Sequence, residues 1–329
     1  MENKVSIGVI ITVYNKEKYI DRALKSILLQ KKFPDELIII DDYSHDQSVS
    51  IVTDQLPFLE KKISRCVFIK STQNKGAAEA RNIAIREATS DFLIFLDADD
   101  QYEIGYIEDI RQILTMNKNV SMITSRVRME SNGLEYPSNK IDKSLVKENG
   151  ILFVKYPFQT LAIESIFVGG GNVCFKRPEI SDDILFDPLE KNFEEWDFYY
   201  RILKKTIKRK EMIVYLHKVN YIYNNIDENS LSRKWIFNYK ELVIPKIIKR
   251  IHEKEELSYK GLLISIWFYN SMVRLVDLKN KYLFIKSNYS IINKSALNRY
   301  LIGGVMNFFI SSNVLNAIAT LYKKARFKE

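Results

Sequence analysis

Short apolar runs rich in β-branched residues alternate with amphipathic segments over the first 115 residues, and this alternation constrains the fold most strongly. The run 5–13 is almost continuously apolar, which is typical of a strand buried on both faces. Residues 16–29 carry apolar side chains three and four positions apart, which predicts an amphipathic helix. Further strands are predicted at 37–40, 66–69 and 92–96, with helices after the second and third. The pattern predicts a doubly wound, Rossmann-like, mostly parallel α/β sheet, which binds ligands beyond the carboxyl ends of its strands.

The remaining two thirds of the chain divide into a mixed part and a helical part. Residues 122–128 alternate apolar and polar side chains, which predicts an antiparallel or edge strand. A helix is predicted at 194–205, and short strands at 173–175, 212–216 and 219–223. Beyond residue 235 the patterns are helical only, at 239–253, 261–278 and within 300–322. We therefore expect an α/β domain over residues 1–234 and an α-helical region over residues 235–329.

Charge is unevenly distributed along the chain, whose formal net charge is +9. Residues 235–329 carry 16 Lys or Arg against 6 Asp or Glu, whereas residues 1–115 carry 15 against 19. The C-terminal helices are therefore expected to touch anionic lipid headgroups or to form a homo-oligomer contact, and the sequence leaves both open. Segment 300–322 is uncharged, but its amide side chains argue against a membrane span. No nucleic-acid partner is expected, because the basic residues are not interleaved with aromatic ones.

Carboxylates cluster directly after the fourth predicted strand, in the segment Asp97-Ala98-Asp99-Asp100. Carboxylates this close repel one another unless a cation lies among them. Oxygen ligands suit Mg²⁺ or Mn²⁺, so Asp97, Asp99 and Asp100 are candidate metal ligands. The alternative is a solvated turn that caps a helix, since Asp is favoured in both positions.

Other polar residues follow the neighbouring strands. Asp41-Asp42 ends the second strand, where a carboxylate can accept a hydrogen bond from a base or a ribose. Such a pair also occurs in phospho-acceptor receiver domains, so it does not identify the site by itself. Arg81, near a helix start, can meet phosphate or base, although a lone Arg is more often solvated or paired.

Four motifs, in this order and spacing, resemble those of the family-2 inverting glycosyltransferases of the GT-A fold. They are Thr12-Val13-Tyr14-Asn15, Ile40-Asp41-Asp42-Tyr43-Ser44, Ala80-Arg81-Asn82 and Leu96-Asp97-Ala98-Asp99-Asp100. The resemblance covers about residues 4–234. It implies a nucleotide-sugar site formed by Thr12, Tyr14, Asn15, Asp41, Asp42, Arg81 and Asp97. It also implies that Asp99, together with Asp97 and Asp100 in a DxD motif, holds Mn²⁺ or Mg²⁺.

The resemblance further implies a general base at the start of a helix. In the family this base is the Asp of a Glu-Asp pair, and this chain has Glu194-Glu195 instead, so Glu195 takes the position of the base. Asp197 is the second candidate base. A Glu-rich first helical turn that merely complements the helix dipole is the structural alternative. The residues expected beside the acceptor or the sugar are Glu194, Trp196 and Gly170, with Trp196 favoured over Tyr156, Phe158, Tyr199 and Tyr200 for stacking.

Taken as a whole, the resemblance implies an enzyme that transfers a sugar, with inversion, from a UDP-sugar to a hydroxyl of a glycan, expected to be lipid-linked. The expected process is the synthesis of a bacterial surface polysaccharide such as capsule or O-antigen. With two cysteines and no signal-peptide pattern, a cytoplasmic location at the inner membrane face is expected. Residues 223–226 lack the Arg and His of a family element, so a non-catalytic sugar-nucleotide-binding protein of an assembly complex is the alternative. A nucleotidyltransferase on a related α/β fold should have a glycine-rich, basic loop after the first strand. It is disfavoured, because residues 12–18 contain no glycine.

Overall fold

The computed structural model describes residues 5–148, 150–167, 170–177, 184–190, 193–226, 238–275, 277–293, 301–302 and 304. The chain divides into two compact units, Met1–Ile226 and Asp227–Glu329. The expected boundary at residue 234 lies in the segment 227–237, outside the described residues.

The first unit begins with four strands that alternate with helices, as the apolar periodicity predicts. The strands are β1 Ile7–Val13, β2 Glu36–Asp41, β3 Arg65–Lys70 and β4 Phe92–Asp97. The helices between them are α1 Ile20–Leu28, α2 Ser48–Glu60 and α3 Ala77–Glu87. All four strands are parallel, in the order β3-β2-β1-β4. The order reverses at β1, and such a switch point is where ligands bind in this class of fold.

The strands that come after β4 in the chain pair in both parallel and antiparallel directions. The further strands are β5 Gln101–Tyr102, β6 Val120–Met129, β7 Glu135–Tyr136, β8 Leu145–Glu148, β9 Ile151–Val154, β10 Val173–Lys176 and β11 Met212–Tyr223. The helices are α4 Tyr106–Met116, α5 Pro157–Ile163 and α6 Glu194–Lys208, with a 3₁₀ turn at Asn139–Ser144. The sheet continues from β4 as β10-β6-β11-β9-β8. Because β10 runs antiparallel to both β4 and β6, the sheet is mixed but mostly parallel in its first half.

One strand prediction was right in part and another was wrong. The segment predicted as an antiparallel or edge strand is β6, which pairs antiparallel with β10 but lies inside the sheet, where it also pairs parallel with β11. Its small polar residues Ser121, Thr124 and Ser125 are buried, and Ser121 donates a hydrogen bond to Thr206 of α6 (2.9 Å), so polar residues in this strand do not mark a solvated face. The two strands predicted over 212–223 form the single strand β11, with register shifts around Leu216 and Val219.

The second unit is helical in its described part. It contains 3₁₀ turns at Tyr239–Glu241 and Lys254–Glu256 and the helices α7 Lys246–Arg250, α8 Leu257–Arg274 and α9 Leu278–Ile292. The helix predicted over 239–253 is interrupted, because Pro245 has extended backbone geometry and cannot continue a helix. Helix α9, which the sequence pattern missed, begins at an Asp277 side chain that accepts from the Asn280 N–H (2.8 Å). No helix in the described ranges is long and apolar enough to span a bilayer. The helix expected within 300–322 lies outside those ranges, except for residues 301, 302 and 304.

Gly170 and Gly171 lie just before β10, and adding a methyl group is expected to affect stability differently at the two positions. A Cβ at Gly171 would lie 2.7 Å from the Phe95 carbonyl oxygen and closer still to the Tyr221 ring. We expect Gly171→Ala to lower the free energy of unfolding by about 3 kcal/mol or more, because backbone cannot yield at such a distance. A Cβ at Gly170 meets its nearest atoms at 3.4 to 3.6 Å, so Gly170→Ala should cost less than about 1 kcal/mol. Urea unfolding of both variants measures this contrast, and equal losses would contradict it.

Candidate active site

The loops that follow β1 and β2 are tied together by side-chain hydrogen bonds. The Asn15 N–H donates to Ser44 Oγ (3.0 Å), and the His45 N–H donates to Asn15 Oδ1 (2.9 Å). Asn15 adopts a left-handed backbone (φ 51°), which Asn tolerates better than most residues. The rings of Tyr14 and Tyr43 remain 45% and 42% exposed on these loops. The cross-linked loops therefore present two aromatic side chains near the switch point, and Asn15 itself acts as a loop brace.

The two carboxylates after β2 have different partners. Asp42 accepts from the N–H groups of Lys75 and Gly76, both at 2.8 Å, with one oxygen each. Asp42 thus anchors the loop before α3, a role that the sequence did not indicate. Asp41 accepts from the Ser44 N–H (3.0 Å) through Oδ2, while its buried Oδ1 has no hydrogen-bond partner among the described residues. Of the pair, Asp41 therefore keeps an acceptor available for a ligand.

Arg81 joins three elements that are distant in sequence. Its Nη2 lies 2.8 Å from Asp97 Oδ1 at the end of β4 and 2.8 Å from Glu195 Oε1 at the start of α6. Glu194 lies further away, at 3.9 Å from Nη1. The guanidinium is 4% exposed and lies 5.3 Å from the centre of the Phe186 ring. Arg81 is therefore a buried link between Asp97 and Glu195, which agrees with the alternative of a paired Arg rather than with a cation open to phosphate or base.

Burial opposes the charged form of Arg81, but Asp97, Glu195 and Glu194 outweigh it and raise its pKa. For Glu195 burial has the larger effect, so the surroundings favour its neutral form. Burial raises the pKa of Glu195 to about 7; Arg81 lowers it, and Glu194 and Asp97 add to the rise. A carboxyl group with a pKa near neutrality can accept or release a proton under physiological conditions. The backbone at Gly170 passes close to Asp97, Glu195 and Arg81, so it lines the same cluster.

Asp99 and Asp100 differ in exposure and in partners. Asp99 pairs with Lys16, whose Nζ lies 2.6 Å from Oδ2, and about a fifth of each side chain is exposed. Burial raises the pKa of Asp99, Lys16 opposes the rise, and Asp97 adds to it. Asp100 is fully buried and accepts from the Tyr221 hydroxyl and from the Asn224 N–H (2.7 Å). Burial, Asp97 and Asp99 raise its pKa well above the ordinary value. Both Asp100 oxygens already accept hydrogen bonds, so this carboxyl is a poor metal ligand. Instead it joins β11 to residues 97–100, the acidic loop after β4.

The remaining predicted residues lie mostly on helix α6, and they differ in burial and in partners. Asp197 is buried and pairs with Arg201 (2.9 Å), one turn further along the helix. Trp196 is half-buried and contacts Phe193 edge-on, with ring centres 5.2 Å apart. Of the other candidate stacking residues, Tyr156 is exposed. The other three are buried in the core: Phe158, Tyr199 and Tyr200. Tyr199 donates its hydroxyl hydrogen to the Gly170 carbonyl (2.6 Å), which fixes the backbone beside the cluster.

Sequence reasoning missed three residues that shape this site. Lys16 follows the first motif directly, and this position was a usable signal. Tyr221 and Asn224 had no local signal, because they reach Asp100 across 121 and 124 residues. Thr12 lies at the end of β1, in register with Asp97 of β4, as its place in the motif predicts.

Asp99 and Asp97 are the carboxylates at the end of β4 that would hold a divalent cation. No cluster of three or more His, Cys, Asp or Glu side chains suited to a metal occurs in the described ranges. Mg²⁺ needs no such cluster when a substrate is present, because one or two carboxylates and the substrate phosphates supply its ligands. Asp99, with its partly exposed oxygens and its neighbour Asp97, meets that requirement.

Comparison with known proteins yields a family match and several partial relatives. The family model described as Glycosyl transferase family 2 matches residues 8–178, more than half of the chain. The chain is 41% identical over 99 residues to the teichoic acid poly(glycerol phosphate) polymerase of Staphylococcus epidermidis, covering 30% of this chain and 13% of that protein. It is 25% identical over 257 residues to glycosyltransferase GlyA of Streptococcus pneumoniae, covering 77% and 35%. The chain thus spans well under half of the length of these two relatives.

Solved structures share the fold at low sequence identity. Staphylococcus aureus TarS 1–349 in complex with UDP-GlcNAc superposes with a TM-score of 0.65 at 17% identity, covering 92% of this chain and 89% of that one. The mannosyltransferase PcManGT of Pyrobaculum calidifontis, in complex with GDP-Man and Mn²⁺, gives 0.56 at 15% identity, covering 94% and 89%. The expected GT-A fold is thereby confirmed. With the family model matched across the parallel strands, the acidic loop and β10, the chain belongs to glycosyl transferase family 2.

Proposed function

We propose that this protein transfers a sugar from a UDP-sugar to a hydroxyl group of a bacterial cell-surface glycopolymer, with inversion at the anomeric carbon. The observation that carries the proposal is the cluster at the sheet switch point. There Arg81 holds Asp97 and Glu195 together, and Asp99 lies two residues further along the same loop. A proton acceptor and a metal-ligating carboxylate in one cluster are what an inverting transfer requires.

In the proposed reaction, Glu195 removes the proton of the acceptor hydroxyl while the oxygen attacks the anomeric carbon from the side opposite the leaving UDP. Its ion pair with Arg81 orients the carboxylate, and its pKa of about 7 suits proton transfer near neutral pH. In this proposal Tyr14 and Asp41 contact the nucleotide, which is supported by the exposed ring of Tyr14 and by the Asp41 oxygen that has no hydrogen-bond partner among the described residues. A divalent cation held by Asp99, with Asp97 beside it, would neutralise the charge that develops on the departing diphosphate.

The substrate classes are proposed from the relatives. UDP-GlcNAc is bound by TarS, which has the same fold, and this favours a UDP-sugar donor. A teichoic acid polymerase and a poly(ribitol-phosphate) N-acetylglucosaminyltransferase match part of the chain, and both names describe enzymes of glycopolymers. We propose an acceptor of this class, lipid-linked and reached at the inner face of the membrane. Residues 235–329 contain 16 basic and 6 acidic residues, and this positive balance supports such a contact with anionic headgroups.

The proposal is tested by measuring nucleotide release from a panel of sugar nucleotides, with Mn²⁺ and with excess chelator. We expect UDP to be released from one UDP-sugar, faster when a glycopolymer acceptor is added, and at least tenfold slower with chelator. GDP-mannose serves as the matched control donor and should not be consumed. Tight UDP-sugar binding without release from any donor would contradict transfer and favour a non-catalytic binding protein.

A further inference from the structure

Each of the three carboxylates in the acidic loop after β4 already has a partner within the protein, and the three partners differ in kind. Asp97 is paired with the buried Arg81, and Asp100 accepts two hydrogen bonds inside the core. Asp99 is paired with Lys16, which comes from the loop after β1, 83 residues away. Of the three carboxylates, Asp99 is the one whose charged partner is itself partly exposed, at 23% of its side chain. That ion pair is therefore the most easily exchanged.

The Lys16 ammonium occupies a position that a metal ion would need. Its Nζ lies 2.6 Å from Asp99 Oδ2, so a cation that takes that oxygen as a ligand competes with the ammonium for it. The backbone of Lys16 is held in place, because its N–H donates to Ser48 Oγ (2.8 Å) at the start of α2. To release Asp99, only the flexible four-carbon side chain of Lys16 has to change its conformation.

On the basis of the proposed function, we propose that Lys16 is a tethered competitor of the metal at Asp99, and that it transfers to the nucleotide diphosphate when metal and nucleotide bind together. An ammonium released beside a diphosphate finds an anionic partner at once, because Lys is a common phosphate ligand. Metal binding alone leaves the displaced ammonium without that partner. Lys16 thus weakens the binding of metal alone, strengthens the binding of the nucleotide with its metal, and couples the two events reciprocally.

Titration calorimetry with the full chain tests this coupling. The measured quantities are the dissociation constants of Mn²⁺ alone and of UDP in the presence of Mn²⁺. For Lys16→Met we expect Mn²⁺ alone to bind about tenfold tighter and UDP with Mn²⁺ to bind at least fivefold weaker, since competitor and phosphate ligand are both lost. Lys16→Arg keeps the charge and should change each constant by less than about threefold. Lys25→Met is the matched control, because Lys25 lies on the following helix, is exposed, and pairs with Asp21 (2.6 Å).

The outcomes separate this inference from the function on which it rests. Unchanged Mn²⁺ affinity in Lys16→Met, with intact Mn²⁺-dependent UDP binding in the unmodified protein, would overturn the role of Lys16 alone. Failure of the unmodified protein to bind UDP with Mn²⁺ would overturn the proposed function together with it. Thermal unfolding of each variant shows whether the fold persists, and Lys16→Gln, which also removes the charge, replaces Lys16→Met with the same expected shifts if that variant unfolds.

Discussion

Replacing Glu195 with Gln is expected to slow sugar transfer by about 10²–10⁴-fold while UDP still binds. The amide has nearly the shape of the carboxylate, and its oxygen can still accept from Arg81, so the cluster should persist. What the amide cannot do is take up the proton of the acceptor hydroxyl. Transfer rates with radiolabelled donor and UDP binding by calorimetry, measured on the same preparation, separate the two effects.

Glu108→Gln is the matched control, because Glu108 is a solvent-exposed carboxylate of α4 that pairs only loosely with Lys31, at 4.0 Å. Its transfer rate should stay within about twofold of the unmodified protein. A near-native rate in Glu195→Gln would move the proton acceptor to another residue. Asp197, the second candidate in the sequence, is engaged by Arg201 and would have to break that ion pair first.

The pH dependence of the unmodified protein gives an independent check on Glu195. Its raised pKa means that the carboxyl group is mostly protonated, and therefore inactive as a base, below about pH 7. We expect kcat/KM to rise as the pH increases through about 7 and then to level off. This rise should be absent from the residual activity of Glu195→Gln. A profile that is flat from pH 5 to 8 in the unmodified protein would contradict the assignment.

Replacing Asp99 with Ala is expected to abolish the Mn²⁺ dependence of UDP binding and to slow transfer by about 10²-fold or more. Of the three carboxylates of the acidic loop, Asp99 has neither the buried Arg81 partner of Asp97 nor the two internal hydrogen bonds of Asp100. Its loss removes the protein's main hold on a cation that would be worth several kcal/mol to the departing diphosphate. UDP titrations with Mn²⁺ and with chelator, on variant and unmodified protein, measure the difference.

Asp109→Asn is the control for Asp99, since Asp109 lies on α4 and pairs with Lys218 (2.8 Å) on the surface of the unit. That variant should keep the full Mn²⁺ dependence of UDP binding. Should Asp99→Ala instead bind UDP as strongly with Mn²⁺ as the unmodified protein, the metal is held elsewhere and the assignment fails. A loss of binding with and without Mn²⁺ would indicate a damaged fold, which thermal unfolding detects.

The periodicity of apolar residues was enough to predict the parallel strands, their helices and the edge of the sheet that carries the site. This worked because each strand of a doubly wound sheet is specified by a local apolar run, and each helix by a local stripe. The motifs and the resemblance likewise drew attention to Arg81, Asp97 and Glu195, which the structure brings into contact, and to Asp99, two residues beyond Asp97. At β6 the periodicity predicted an antiparallel or edge strand, but it did not show that the strand lies inside the sheet, because small polar residues such as Ser121 and Ser125 are buried there.

By itself, then, the sequence determined the fold class, the order of the strands along the chain and the residues near the site. The tertiary structure alone decided which partner each charged group has. Asp42 braces the loop before α3, Asp100 binds β11, and Lys16 reaches Asp99 across 83 residues. Such pairings depend on burial and on distances of a few ångströms between segments far apart in the chain, and no local pattern encodes them.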